Sequence, residues 1–236
     1  MKPKALPSSR RKNGLVKRWT RAQLFQHWLV LLSLILLGLT GLALKYHAHA
    51  WAAWLLQRMG GPAMSGTLHR TAAVVLIGTV VFHLAHAALT EYGHQEFRRI
   101  RLRAQDFRDF LHMLKFNLGS APEPPKTAKY SYQEKFHYWA VALIVLLMIP
   151  SGFVLWFENE AMQFLPKWIY DLTLILHGGA GIFFFAVVVL SHLYSVHLDP
   201  RVFPMDWMWL TGTISEDQLR ARHPLEFEEL EERSGS

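Results

Sequence analysis

The sequence predicts an all-α integral membrane protein, a four-helix bundle with both termini on the cytoplasmic side. Three observations carry that prediction. Four stretches, 22–44, 71–90, 136–157 and 172–198, contain no Asp, Glu, Lys or Arg, and each has at least twenty residues. At about 1.5 Å per helical residue, any of them crosses a hydrocarbon layer of roughly 30 Å. Lysine and arginine crowd the N-terminal arm and the 91–135 loop. The 45–68 loop holds only Lys45 and Arg58, and the 158–170 loop only Lys167. Loops rich in these residues stay in the cytoplasm, which places both termini and the long middle loop there. Finally, histidines recur inside the apolar runs, where polar groups are costly and usually face a bundle interior or a functional site.

The chain has 236 residues, 51% of them hydrophobic, and a formal net charge of +7. The basic excess follows from topology and from anionic lipid, so it gives no reason to invoke nucleic acid. Cysteine is absent. Disulfides, thiolate-bound iron–sulfur clusters and covalent c-type haem attachment are thereby excluded from this chain.

The order of elements follows from composition. Residues 1–20 read as a basic, mobile cytoplasmic arm. Residues 21–199 read as the membrane domain, with spans at about 22–44, 68–91, 136–157 and 171–198, and 200–236 as a cytoplasmic tail. The first span is too long for a signal-peptide core, and no small-residue cleavage pattern follows it. Gly38 and Gly41 near its far end suit close helix contact. The outer loop HAHAWAAWLLQRMGGP spaces Trp51, Trp54, Leu55 and Leu56 as a short interfacial helix does. The second span is followed by RRIRLRAQDFRDFLHMLKFNLG, an amphipathic pattern, and then by the proline-broken SAPEPPKTAKYSYQ. Pro150 and Gly152 predict a kink in the third span. In SEDQL, Ser215 and Gln218 form a capping pattern, and the acidic end EFEELEERSGS reads as frayed.

There are thirteen histidines. His69 and His83 are fourteen residues apart, which puts them within about 40° on one helix face and about 21 Å apart along the axis. His177 and His192, fifteen apart, lie within about 60° and about 22 Å on the last span. Both spans run from the outer side inward. His69 and His177 therefore share an outer level and His83 and His192 an inner one, where His27 of the first span also falls. Facing imidazoles at two depths suit two bis-histidine haems. Gly178, Gly179, Gly181 and Gly78 offer room for a flat macrocycle, and Arg70 beside His69 suits a propionate. Single membrane histidines are often only hydrogen-bond partners between helices, but four at matched depths are not explained that way. His47, His49, His94, His112 and His223 read as ordinary surface residues, and His86 and His197 as off the main faces.

QHWLVLLSLILLGLTG, LHRTAAVVLIG, KYSYQEKFHYW and ILHGGAG with SHLYSVHL resemble the di-haem cytochrome b subunits that anchor formate dehydrogenases, thiosulfate reductases and nickel–iron hydrogenases. The tail FPMDWMWLTGTISEDQLRARHPLEFE resembles a branch found beside multihaem c-type cytochromes. The resemblance spans about residues 18–200. It implies two haem b groups, the outer held by His69 and His177 and the inner by His27 and His192. His83 stays as a rival inner ligand, favoured by spacing alone, or as a ligand of a third haem. The resemblance also implies a cytoplasmic-side quinone site in the segment entering the third span, with Tyr130, Ser131, Gln133, Glu134, Lys135 and His137 as candidates. Interfacial anchoring explains the same residues equally simply.

The expected function is electron transfer across a bacterial-type inner membrane. It would run between a menaquinone or ubiquinone pool and an outer redox subunit, a multihaem cytochrome c or an iron–sulfur protein, docked on the aromatic outer loops. No complete catalytic site is expected in this chain alone. The rival reading is a histidine-lined transporter or proton or metal pathway without haem. Such a path usually needs acidic partners within the spans, and the four apolar stretches have none.

Overall fold

The computed structural model describes residues 11–12 and 14–234, with side chains from 14 to 232. The distal part of the basic arm, residues 1–10, lies outside the described residues, as do Asn13 and 235–236. Among the described residues, four helices are long and apolar enough to cross a membrane. They are α1 (Arg21–Lys45), α3 (Pro62–Leu89), α6 (Tyr132–Trp156) and α8 (Lys167–Leu193). A π-helical turn at Tyr194–Leu198 extends the last of them. Shorter helices follow the remaining sequence: α2 (Ala50–Arg58), α4 (Glu91–Ile100), α5 (Ala104–Asn117), α7 (Glu158–Phe164), α9 (Met208–Thr211), α10 (Glu216–Arg222) and α11 (Pro224–Ser234). The chain divides into two compact units, one of 25–85 and 140–205, the other of 1–24, 86–139 and 206–236.

The first of these holds most of the length of the four long helices, and its burial is inverted relative to a water-soluble protein. Large apolar side chains point outward, as with Leu32, Val81, Leu146, Ile175 and Leu190, which in a bilayer meet lipid. Much of what is buried is small or polar, with Leu56, Leu76 and Val202 as the larger exceptions. On α1 the buried residues include Ser33 and Thr40, and on α3 Ser65, Ala72 and Thr79, each set spaced by seven. Seven-residue spacing keeps one narrow seam facing inward over many turns, and small residues on that seam let membrane helices approach. The Phe185 ring of α8 lies on Gly38 of α1, where an added Cβ would come within 2.7 Å of it. Helix α6 runs through Pro150 as one element.

Three long helices begin four to six residues before the expected spans, at Pro62, Tyr132 and Lys167, and two further boundaries differ in kind. The second long helix ends at Leu89 rather than continuing to 91. Thr90 leaves the helical region (φ −115°, ψ 142°) and its Oγ1 accepts a hydrogen bond from Gly93 N at 2.9 Å, capping α4 as a separate helix. The amphipathic stretch after it is likewise two helices. It breaks at 101–103, and Arg103 N donates to the Asp106 carboxylate at 2.6 Å to start α5.

The second unit corrects the picture of a mobile arm and a frayed tail. Arg11–Lys12 (β1) and Leu15–Lys17 (β2) form an antiparallel sheet with Thr213–Ser215 (β3). Val16 pairs with Ile214, and Gly14, at φ +72°, makes the β1–β2 turn. Val16, Ile214, Leu219 and Phe227 are all buried in one cluster, with Leu230 packed on it. Acidic composition concealed this, because the apolar residues of the tail are few but lie on one face. Arg18, 3% exposed, ties the arm to the tail. Its guanidinium donates to Lys129 O and to His223 Nε2 and pairs with Glu226 at 3.2 Å. Leu225 N donates to Thr127 O at 3.1 Å, and Arg222 pairs with Asp206.

His223 is therefore not a surface residue. It is 2% exposed, and its Nδ1–H donates to Ala128 O at 2.8 Å. Burial, reinforced by the adjacent Arg18 charge, pulls its pKa from 6.5 to about 4. A histidine with a lowered folded pKa contributes fully above its unfolded value, and that contribution is lost as pH falls through the interval between the two. Burial holds Glu226 above the usual carboxylate range, which opposes the trend but does not remove it. Hydrogen exchange across 213–232, corrected for intrinsic rates, should therefore quicken between about pH 6.5 and pH 4, and less so in His223→Asn. Leu219→Ala should cost the same unit about 2–5 kcal/mol, read as tail protection lost at neutral pH.

Candidate haem-binding site

The histidines of the long helices come together in two pairs. His69, on the inward-facing side of α3, lies with its ring centroid 6.4 Å from that of His177 on α8. His27 near the start of α1 and His192 near the end of α8 have ring centroids 6.0 Å apart. On α8 the two pairs are separated by about 22 Å of helix. His83 donates or accepts at Nδ1 with Gln26 Oε1, 2.9 Å away. An amide oxygen only accepts, so Nδ1 carries the proton.

The His69–His177 pair is closely seated. His69 Nδ1 is 2.9 Å from Thr40 Oγ1, and His177 Nδ1 is 2.9 Å from Ser151 Oγ. A Cβ added at Gly41 would lie 3.3 Å from His69 Cε1, and one at Gly152 would lie 3.3 Å from His177 Cε1. A side chain at either glycine would press on the imidazole and require it to shift by a few tenths of an ångström. Of the glycines read as making room, Gly178 is covered by the Lys45 side chain and Gly181 by Met148, while Gly78 and Gly179 face open space. Arg70 is exposed, its guanidinium 5.8 Å from the centre of the Trp156 ring.

Residues 18–204 match the prokaryotic cytochrome b561 family. The chain belongs to that family. It is a membrane b-type cytochrome of electron transfer, a multi-pass protein of the bacterial inner membrane. Among similar proteins is the cytochrome b556(fdo) subunit of an Escherichia coli K12 formate dehydrogenase, 23% identical over 87% of this chain and 84% of its own length. The cytochrome b556(Fdn) subunit of the nitrate-inducible formate dehydrogenase of the same organism is 20% identical, covering 87% of each chain. A formate dehydrogenase cytochrome b556 subunit of Haemophilus influenzae is 19% identical over 85% of this chain and 73% of its own.

The family implies haem b, and the geometry of this cytochrome fits it. Two imidazoles sharing one first-row metal ion, each through a nitrogen at roughly 2 Å, would bring ring centroids to about 6 Å. Both observed separations, 6.4 and 6.0 Å, match that spacing.

The segment entering α6 has a different character. Ser131 N donates to the Glu134 carboxylate at 2.7 Å while Glu134 N donates to Ser131 Oγ at 3.2 Å, a reciprocal cap on α6. Lys135 is paired with Asp106 at 2.7 Å, and both are buried. Tyr130 donates to Glu96 at 2.5 Å, and Glu96 also binds Lys129. Burial and the Glu96 charge push the Tyr130 phenol well above its ordinary range, and burial draws Lys129 below its own. Gln133 is exposed and His137 half-buried. Sequence reasoning missed Glu96 and Asp106 because both lie in an apparently solvated charged loop. It missed Thr40, Ser151 and Gln26 because a lone hydroxyl or amide in an apolar run carries no periodic signal. Asp106→Ala should destabilise the protein by about 3–5 kcal/mol through the stranded Lys135 charge, measured as a drop in Tm with haem content unchanged.

Proposed function

We propose that this cytochrome carries two haem b groups and passes electrons between a quinone pool on the cytoplasmic side and a redox subunit on the outer side. The observation that carries the reading is the pair of histidine couples, each at metal-bridging separation and set about 22 Å apart along α8. His69 and His177 hold the outer haem and His27 and His192 the inner one. His83, held by Gln26, then orients the inner end of α1 rather than serving a third haem. Bound in these positions, the haems supply one-electron redox chemistry at two depths of the bilayer. The apolar walls exclude water. Arg70 and Lys45, at the outer ends of their helices, provide cations for propionates.

Orientation rests on the lysine and arginine distribution, which puts both termini, and with them the arm before residue 21 and the tail after 199, in the cytoplasm. The similar proteins are subunits of formate dehydrogenases, which supports an oxidoreductase partner. A multihaem cytochrome c or an iron–sulfur protein fits the aromatic outer loops, where Trp51, Trp54 and Trp168 are exposed. For the quinone, Gln133 and His137 make the contacts, while Tyr130, Ser131, Glu134 and Lys135 shape the segment that presents them.

A dithionite-reduced minus oxidised spectrum with pyridine haemochrome quantitation should give two b-type haems per chain. His177→Ala should leave one, and His27→Ala one, whereas His83→Ala should keep both. Two haems retained in His177→Ala, or one lost in His83→Ala, would overturn the ligand set. Gln133→Leu and His137→Phe should slow reduction by a quinol analogue at least tenfold at unchanged haem content.

A further inference from the structure

The hydroxyls beside the His69–His177 pair each lie against backbone carbonyls of their own helix, and His69 also meets the Leu37 carbonyl. Thr40 Oγ1 lies 2.6 Å from Leu36 O. A carbonyl oxygen only accepts, so the single hydroxyl proton of Thr40 goes there, one turn back in its own helix. The same oxygen is 2.9 Å from His69 Nδ1. With its proton committed, it accepts from the ring, and Nδ1 carries the hydrogen. Helix α6 repeats the arrangement. Ser151 Oγ donates to Leu147 O at 2.7 Å and accepts from His177 Nδ1 at 2.9 Å. In both cases a glycine follows directly, Gly41 and Gly152, and each lies 3.3 Å by its would-be Cβ from the Cε1 of the same ring. A hydroxyl–glycine dipeptide on one helix thus seats a histidine on the next, once for α1 and α3 and once for α6 and α8.

We propose that Thr40 and Ser151 are positioning residues of the outer haem, fixing the Nδ1–H tautomer of His69 and His177 and strengthening both imidazoles as iron donors. The inference rests on the ligation of the outer haem by those two histidines. A metal-bound imidazole must present an unprotonated nitrogen, and an acceptor for its other N–H both selects that tautomer and raises ligand basicity. Here the acceptor is a neutral hydroxyl already polarised by donation to the backbone. Thr40 is fully buried, so no water replaces it. The backbone bond also holds the hydroxyl in one rotamer, which fixes the ring plane, while the adjacent glycine blocks no part of the ring edge.

A stronger imidazole donor favours the more highly charged oxidised iron. Losing the acceptor therefore raises the midpoint potential of the outer haem and leaves the inner one unmoved. The test uses the full-length purified cytochrome. His177→Ala first identifies which spectral and potentiometric component is the outer haem. If it retains both haems, the ligation fails and this inference with it. Thr40→Val, Ser151→Ala and their combination are then compared with the conservative Thr40→Ser and Ser151→Thr by haem count, optical redox titration and low-temperature EPR. The expected result is two haems per chain, an upward shift and altered low-spin g-values for the outer component only, and recovery in the conservative variants. Loss of the outer haem in Thr40→Val with its retention in Thr40→Ser also supports the assignment. Unchanged potentials and spectra in the double variant overturn it, as does equal loss of haem from Thr40→Val and Thr40→Ser.

Discussion

An imidazole placed in hydrocarbon has two ring nitrogens and no water to satisfy them, and the rest of this membrane unit is arranged around that difficulty. Each unsatisfied polar group at membrane depth costs several kcal/mol, so a histidine there is costly unless neighbouring helices supply partners. Thr40, Ser151 and Gln26 supply them at 2.9 Å for His69, His177 and His83. Those partners must reach across from another helix, so α1 has to lie beside α3 and α6 beside α8. The small and polar residues that form the buried seams of α1 and α3 make that approach sterically feasible. The outward faces are then free to be as apolar as lipid requires.

The other unit solves the opposite problem. It is built from basic and acidic segments with few apolar residues, and it gains order by burying a small cluster around Val16, Ile214, Leu219 and Phe227 together with paired charges. Buried ion pairs contribute little net stability but are costly to break. They make a specific arrangement: Arg18 cannot be satisfied unless the arm, the 127–130 segment and the tail are all in place. The same economy of apolar surface explains why a neutral His223 is kept among these charges. A protonated ring would face the Arg18 guanidinium at its Nε2.

Several features were legible because they depend on local order along the chain. Absence of charge over twenty residues is enough to mark a span, and helical periodicity is enough to put His69 with His83, and His177 with His192, on one face and at two levels. The capping of α10 by Ser215 is equally local. The mobile arm and frayed tail were misread for a corresponding reason. Strand β2 and helices α10 and α11 are short, and their apolar residues become a cluster only when segments about two hundred residues apart are brought together. Thr90 shows the limit at finer scale: the expected span ran past it to 91, but Thr90 leaves the helical region and its side chain caps the next helix at Gly93.

By itself the sequence determined the all-α membrane class, the four spans, the two histidine levels and the resemblance to the di-haem cytochromes, because hydropathy and period are properties of a single helix. The tertiary structure alone decided that His27 lies with His192 at 6.0 Å, that His83 is bonded to Gln26, and that two unremarked hydroxyls lie 2.9 Å from the rings of His69 and His177. It alone made His223 and Glu226 interior residues. The physical reason is the same in each instance. Which partner a buried nitrogen or carboxylate meets depends on the rotation of one helix or segment against another, and no pattern within either one records that angle.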